Sequence, residues 1–447
     1  MTSRSKGLSF RLFWLLWLGI SVSWPMVASM HASVKPGTPQ RQGRAWVKVI
    51  ECGAPVREGG KLVLRAALGS VKVRPSAAGR LNGRVRMSAY TADENEAIRY
   101  FRQWELKVRT LEPGGVLVES RMASGERAPV RLKIEFEFEV PVRVNLDLET
   151  QGGDIEVERL EGELRVTTAG GNIRTGDIDG PTKVETAGGG ISLGIIGGHL
   201  DAQTAGGSIQ VGDVKGNTIL ETSGGEIKAG RVGGTVLAET AGGDIVLSGA
   251  SGALRAETAG GQIWIGESGG SITAQTAGGT IRLEGGRGMV TASTGGGSID
   301  LFQVQGEVHA ETSVGSILAQ IGASRDTFGA SKLETSMGNV QVYLPPDLPL
   351  TIDAAIRLAS GYKIESDFPL RIAGEEPGYV APTLHGNGSL NGGGKLLYIR
   401  TVAGNIEIRK LDAATLEKLR QQQGAPSSHR QQIRRAPERR EREHERD

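Results

Sequence analysis

Hydrophobic and polar positions recur along the middle of this chain with a fixed period of 18 residues. The segments TQGGDIEV at Thr150, TAGGNIRT at Thr168, TAGGGISL at Thr186 and TAGGSIQV at Thr204 open the series, which continues through Thr222, Thr240, Thr258, Thr276, Thr294 and Thr312. No insertion breaks the step across these ten threonines. With each Thr as position 0, positions 2 and 3 are nearly always Gly-Gly and position 5 is Ile from Ile155 to Ile317. Position 7 is mostly aliphatic, as at Val157, Leu193, Leu247 and Leu301. Positions 14 and 16 are mostly aliphatic or Ala, as at Leu164 and Val166 or Leu254 and Ala256. Alternation at 5 and 7, and again at 14, 16 and the next Thr, is the period-two signature of strands with one buried face. Each unit therefore predicts two short strands. The Gly-Gly pair turns one corner, and a Gly-rich stretch at positions 8 to 12 turns the other. The threonines point inward, where their hydroxyls can hydrogen-bond along the stack.

A drift-free repeat of this length predicts stacked coils of equal size. One coil buries about five aliphatic side chains, worth roughly 1.5–3 kcal/mol each. It orders 18 residues at about 1–2 kcal/mol of backbone entropy apiece, so a coil is stable only on its neighbours. At about 4.8 Å per strand, nine steps span about 43 Å. Other repeat architectures fit less well. A left-handed hexapeptide helix needs aliphatics at positions 0, 6 and 12, but 6 varies and 12 is Gly. A calcium-binding nonapeptide roll needs an Asp in both halves, which is missing here. A propeller blade needs four strands. The fold class expected is all-β: a single-chain β-solenoid, or β-helix, with 18-residue coils and a short disordered C-terminal tail. A Rossmann, barrel or helical enzyme is excluded.

The flanks divide the chain. Arg4, Lys6 and Arg11 precede an apolar stretch from Leu12 to Trp24, which Pro25 ends; Val27-Ala28-Ser29 offers a small-residue cleavage site. Residues 1–32 therefore read as a signal peptide, or as an N-terminal anchor, since the uncharged run from Leu12 to Met30 has 19 residues. Either way the remainder is expected outside the cytoplasm, in the periplasm or at the cell surface. Residues 33–149 read as a β-rich N-terminal end and cap of the solenoid, with strands in AWVKVI, KLVLRAAL, GSVKVRP, GRVRMSAY, QWELKVRTL, GGVLVESR and VRLKIEFEFEVPVRVNLDLET. Residues 150–321 are the regular solenoid and 322–411 its irregular C-terminal coils. The step from Thr312 to Thr335 is 23 residues, so about five are looped out within Gly322–Ser331. Residues 412–447 form a charged tail. A short helix is expected from Leu411 to Gln423, followed by an Arg/Glu/Gln-rich stretch with too few apolar residues for a core.

At these residues the chain resembles the bacterial β-strand-repeat family called "putative adhesin", the domain-of-unknown-function-4097 family. VPVRVNLDLETQGGDIEVERLEG resembles its opening module, a Pro-containing strand leading into Gly-Asp-Ile. SGYKIESDFPL resembles its late Ser-Gly-x-Ile-x-Ser-Asp-Phe-Pro element, and LNGGGKLLYIRTVAGNIEI its terminal Asn-Gly-Gly-Gly strand pair. The resemblance covers about residues 69–411. The stricter central repeat and the Arg-rich tail depart from it. It implies a β-solenoid of envelope or surface proteins and no particular activity.

Composition adds little chemistry. Glycine accounts for 67 of 447 residues, which fits many tight corners. The net charge of +2 gives no reason to expect a nucleic acid partner. The single cysteine, Cys52, excludes an internal disulfide and reads as a buried, inert thiol. H-E-x-x-H and Cys/His clusters are absent from the sequence. His199 and His309 lie six coils apart, so they cannot share a metal. No cofactor is expected. In the tail, Glu438, Glu441, Glu443 and Glu445 offset Arg434, Arg435, Arg439 and Arg440, which reads as a solvated segment.

Two features carry candidate sites. Glu226 and Asp244 share position 4 on adjacent coils, where paired carboxylates could hold a cation or do acid/base work. Outward position 17 places Glu221, Glu239 and Glu257 in an acidic ladder beside Ile219 and Leu237 at outward position 15, a possible partner-binding strip. The function expected is a non-enzymatic, adhesin-like scaffold binding a protein, peptide or glycan of the envelope or surface. It would touch membrane only through an uncleaved N-terminal segment. The alternatives are a polysaccharide-acting β-helix enzyme and a purely structural spacer.

Overall fold

The computed structural model describes residues 32–123, 131–374 and 382–422. The expected targeting segment, apart from Ala32, and the tail beyond residue 422 lie outside them. Within them the 18-residue period becomes two long, mainly parallel sheets. In one, here the isoleucine sheet, Ile155, Ile173, Ile191, Ile209 and their successors pair directly in register through Ile317. In the other, the threonine sheet, Thr150 pairs Thr168 and the ladder runs on to Thr312. The inward side chains of both sheets belong to one continuous core. This is the expected β-solenoid.

A third inward row lies between the two expected strands. Leu160, Ile178, Ile196 and Val214, at position 10, bridge one another from coil to coil and are almost fully buried. From Ile227–Val232 onward this row joins the isoleucine sheet as the end of a longer strand. Positions 8 to 12 are therefore not a simple Gly-rich corner. They bend around a buried aliphatic anchor.

The other corner is held by side chains. From Thr168 to Thr294 each Thr hydroxyl donates to the carbonyl of the position-3 glycine one coil back and accepts from the N–H of its own coil's position-3 glycine. Thr240 Oγ1 lies 2.9 Å from the Gly225 oxygen and 3.3 Å from the Gly243 nitrogen. The same donated bond recurs at Thr150, Thr186 and Thr312, and outside the regular repeat at Thr335 and Thr401. In the middle of the stack, as at Gly243, close approach and not a left-handed φ makes glycine necessary. A Cβ on Gly243 would fall well inside contact distance of the Gly225 carbonyl, whereas one on Gly242 would stand 3.5 Å from the nearest atom.

Both ends are built out of chain order. At the N-terminal end Lys61–Ala66 and Ser70–Ser76 form a coil against Asn145–Thr150 and Ile155–Val157. The later strands Gly115–Met122 and Leu132–Pro141 lie outside that coil. Antiparallel strands Arg80–Ala89 and Trp104–Leu111 cover them. At the other end Lys395–Ala403 and Ile406–Lys410 sit between the coil of Ser331–Met337 and Val340–Leu344 and the coil of Leu350–Ile356 and Ile364–Ser366. Leu384–Leu390 then caps Leu350–Ile356 antiparallel. Antiparallel caps remove the open parallel edges on which solenoids would polymerise.

The expected N-terminal strands are all present, the last split into Leu132–Pro141 and Asn145–Thr150. The helix Glu94–Arg102 was not expected. Asp93 caps it, its Oδ1 accepting from the Asn95 N–H at 2.9 Å, and Ala97 and Phe101 bury its inner face. A second helix, Ala413–Gln422, matches the one expected after Leu411. Residues 322–330 form the expected looped-out segment, and Phe328 plugs it into the core. Burial pushes the Cys52 thiol up to about 11, consistent with an inert cysteine. Alternation along the strand places Val246, at position 6, on the solvent side, yet it is only 5 % exposed, flanked in register by Lys228 and Trp264.

The corner makes a sharp prediction. Gly243→Ala forces Cβ into a backbone carbonyl and is expected to cost several kcal/mol, in the manner of overpacking. Gly242→Ala, one residue earlier, has room and is expected to be neutral or to stabilise by about 0.4–1 kcal/mol. Urea unfolding of both variants against the parent tests this, and equal effects would contradict it.

Candidate functional site

The corner that the threonines hold also shapes the surface above them. Position 17 projects outward from the threonine sheet, position 0 turns inward, and position 1 returns to the surface as a small residue. Because Ala and Gly follow each Thr, nothing fills the space beside the position-17 side chains. The result is a shallow trough of about 1210 Å³ running from Glu149 to Ser293. Its wall carries, in order, Glu149, Thr167, Glu185, Gln203, Glu221, Glu239, Glu257, Gln275 and Ser293.

The structure brings the five residues of the expected strip together. Ile219 pairs Leu237 directly, and Glu221, Glu239 and Glu257 pair in sequence in the same rows. Ile219 is 38 % exposed. Arg255 continues the row of Ile219 and Leu237. It contacts Glu257 at 2.5 Å and reaches Glu239 at 4.0 Å. It relieves the like-charge repulsion of the ladder and leaves Glu221 as the carboxylate of the three without an ion pair among the described residues. Toward the N-terminal end, Lys183 bridges Glu185 and Asp201 at 2.8 Å each. Sequence reasoning missed the trough and Arg255. The signal for Arg255 was present, since it stands at position 15 of the coil after Leu237.

Glu226 and Asp244 are neighbours along the stack but act on different partners. Glu226 Oε1 lies 2.7 Å from Lys228 Nζ on its own strand. Asp244 Oδ1 accepts the Gln262 N–H at 2.8 Å. The same service recurs at position 4 on other coils, where Asp154 accepts from Asn172, Asn172 from Gly190 and Ser298 from Ser316. Short polar side chains here hold the next coil's backbone. Among the described residues, no group of three or more His, Cys, Asp or Glu stands close enough to hold a metal ion. His309 pairs with Glu307 at 2.9 Å, and no helix among the described residues is long and apolar enough to cross a membrane.

Neither a family model nor a curated relative matches the chain. Among solved structures, a "putative cell adhesion protein" from Clostridium sporogenes aligns at 10% identity over 83% of this chain and 100% of its own, with a TM-score of 0.17. A "putative adhesin" from Bacteroides fragilis aligns at 10% identity over 80% of this chain and 96% of its own, also at 0.17. Neither alignment reaches the similarity at which two chains share a fold, so the functional reading rests on the trough itself.

If Asp244 serves the backbone, Asp244→Ala should cost about 1 kcal/mol and Asp244→Asn much less, since Asn172 fills the same role. Millimolar calcium or magnesium should leave the thermal midpoint of the parent unchanged. A rise would instead establish Glu226 and Asp244 as a cation site.

Proposed function

We propose that the protein is a non-enzymatic scaffold of the envelope or cell surface, and that it binds an extended, cationic and amphipathic chain along the trough of the threonine sheet. The observation that carries this reading is the continuity of the trough: Glu221, Glu239 and Glu257 repeat at coil spacing along one wall, with the exposed Ile219 and the half-buried Leu237 beside them. An extended peptide presents same-face side chains about 6.7 Å apart against coils about 4.8 Å apart, a difference that long, flexible Lys and Arg side chains can take up. It would set basic groups against Glu221, Glu239 and Glu257 and an apolar group on Ile219 and Leu237. A strand-like ligand needs no deep pocket, because many weak contacts add along its length. The resemblance of the opening, late and terminal segments to the domain-of-unknown-function-4097 family accords with an exported, surface-exposed site of action, and the basic, then apolar N-terminus with export.

Titration of cationic amphipathic peptides against the parent and the triple variant Glu221→Gln, Glu239→Gln, Glu257→Gln tests the proposal. Exposed charge pairs contribute about 0.2–1 kcal/mol each, so the triple change should weaken binding about tenfold. The loss should shrink as salt shortens the Debye length toward about 8 Å, while the apolar contribution persists. The fold should tolerate the change, since Gln203 and Gln275 already occupy equivalent positions. Equal affinities for both proteins would leave the ladder an ordinary solvated face and favour the spacer reading.

A further inference from the structure

We propose a second binding site, on the outer face of the isoleucine sheet, where the half-buried Trp264, Arg282 and Asp300 receive a neutral saccharide and the adjoining row of Glu284, Phe302 and Gln320 backs them. The site departs from the repeat. On earlier coils the outward positions 6 and 8 carry pairs such as Arg174 with Gly176, Ser192 with Gly194, and Gln210 with Gly212. From Val246 onward, large side chains stand in register along position 6: Val246 beside Trp264, Trp264 beside Arg282, Arg282 beside Asp300. The solenoid does not need them, since the glycine-bearing coils stack equally well.

Their arrangement is organised rather than incidental. Glu284 Oε1 accepts from Trp264 Nε1 at 3.3 Å and from Arg282 Nε at 2.8 Å, fixing both. The Arg282 guanidinium lies over the Phe302 ring, 4.7 Å from its centre. With its indole N–H satisfied inside the protein, Trp264 has its ring left for contact. Phe302 lies where the register shifts between Leu301 and Val304, and Gln303 beside it adopts φ 48°. Such bulges re-aim side chains and are common beside functional sites. Opposite the bulge stands Gln320, only 2 % exposed, with an amide nitrogen that has no hydrogen-bond partner in the protein. Asp300 makes no hydrogen bond and no ion pair within 4 Å among the described residues, and burial raises its pKa.

An aromatic face, a free carboxylate acceptor and an unspent guanidinium donor are the complement of a sugar ring. The apolar C–H face of a pyranose covers an indole, while its hydroxyls both donate to Asp300 and accept from Arg282. Glu284 and Asp300 disfavour a phosphate or an acidic ligand, and Arg282 between them disfavours a cationic one. The site lies on the sheet that does not carry the trough and does not depend on it.

The experiment is calorimetric titration of the full chain with maltohexaose and with chitohexaose, read in parallel by tryptophan emission. At least one is expected to bind at millimolar concentration or below and to shift the emission. Trp264→Ala and Asp300→Asn should each weaken that binding at least about tenfold. Asp300→Asn alters one charge at constant shape, so it reports on the site even if Trp264→Ala unfolds. The trough triple variant should bind the sugar like the parent. The proposal is overturned if neither sugar binds, if binding survives Asp300→Asn unchanged, or if binding is lost in the trough variant instead.

Discussion

The hydroxyl of one threonine per coil is the bond on which the rest of this molecule depends. At the turn between the two sheets, backbone groups point along the stack and find no partner within their own coil. Buried backbone donors and acceptors must be satisfied. A hydroxyl donates once and accepts freely, so Thr240 joins the Gly243 N–H to the Gly225 carbonyl, and its neighbours do the same above and below. Glycine at position 3 lets the carbonyl come near enough, since any Cβ would occupy the same space. The two requirements, a hydroxyl at 0 and no side chain at 3, together fix the register of each corner on the one before it, and they still hold at Thr335 and Thr401, where the coil length changes. A slip of one residue would orphan both groups and turn the aliphatic rows outward.

Surface chemistry follows from that constraint. Identical coils place identical positions in rows, so any residue type chosen at an outward position becomes a ladder along the axis. At position 17 the result is an acidic wall, tempered by Arg255 and Lys183. Position 1 holds mostly small residues that leave the trough open, and position 8 is glycine from Gly176 to Gly230 but Glu284, Phe302 and Gln320 on later coils. Function on such a scaffold is written as departures from the consensus, and Trp264, Arg282, Asp300 and Phe302 are such a departure.

Much of this was legible in the sequence, and what was not has physical reasons. Inward positions 5, 7, 14, 16 and 18 announce themselves because they keep one chemistry over many coils. Position 10 was hidden among the glycines common at 8 and 12, although Leu160, Ile178, Ile196 and Val214 mark it. The helix Glu94–Arg102 is short, and its pattern gives only Ala97 and Phe101 to the core. The out-of-order end coils depend on Lys395–Ala403 entering between two strands formed from earlier residues, a non-local choice that no local pattern encodes. Val246 alternates outward as the period requires, but its burial depends on residues 18 positions away in the chain. The acidic strip was readable from spacing alone; the trough beside it required the corner geometry.

The central claim is that the threonine hydroxyl, not the bulk of the side chain, holds the coils together. Urea unfolding of Thr240→Val and Thr240→Ser addresses it directly. Valine keeps the volume but orphans the Gly243 N–H and the Gly225 carbonyl, at about 1–3 kcal/mol for such a group. Serine keeps the hydroxyl and gives up one buried methyl, about 0.8 kcal/mol. The account predicts that the valine variant unfolds at clearly lower urea than the serine variant. A valine variant as stable as the parent, or more stable than the serine one, would contradict it.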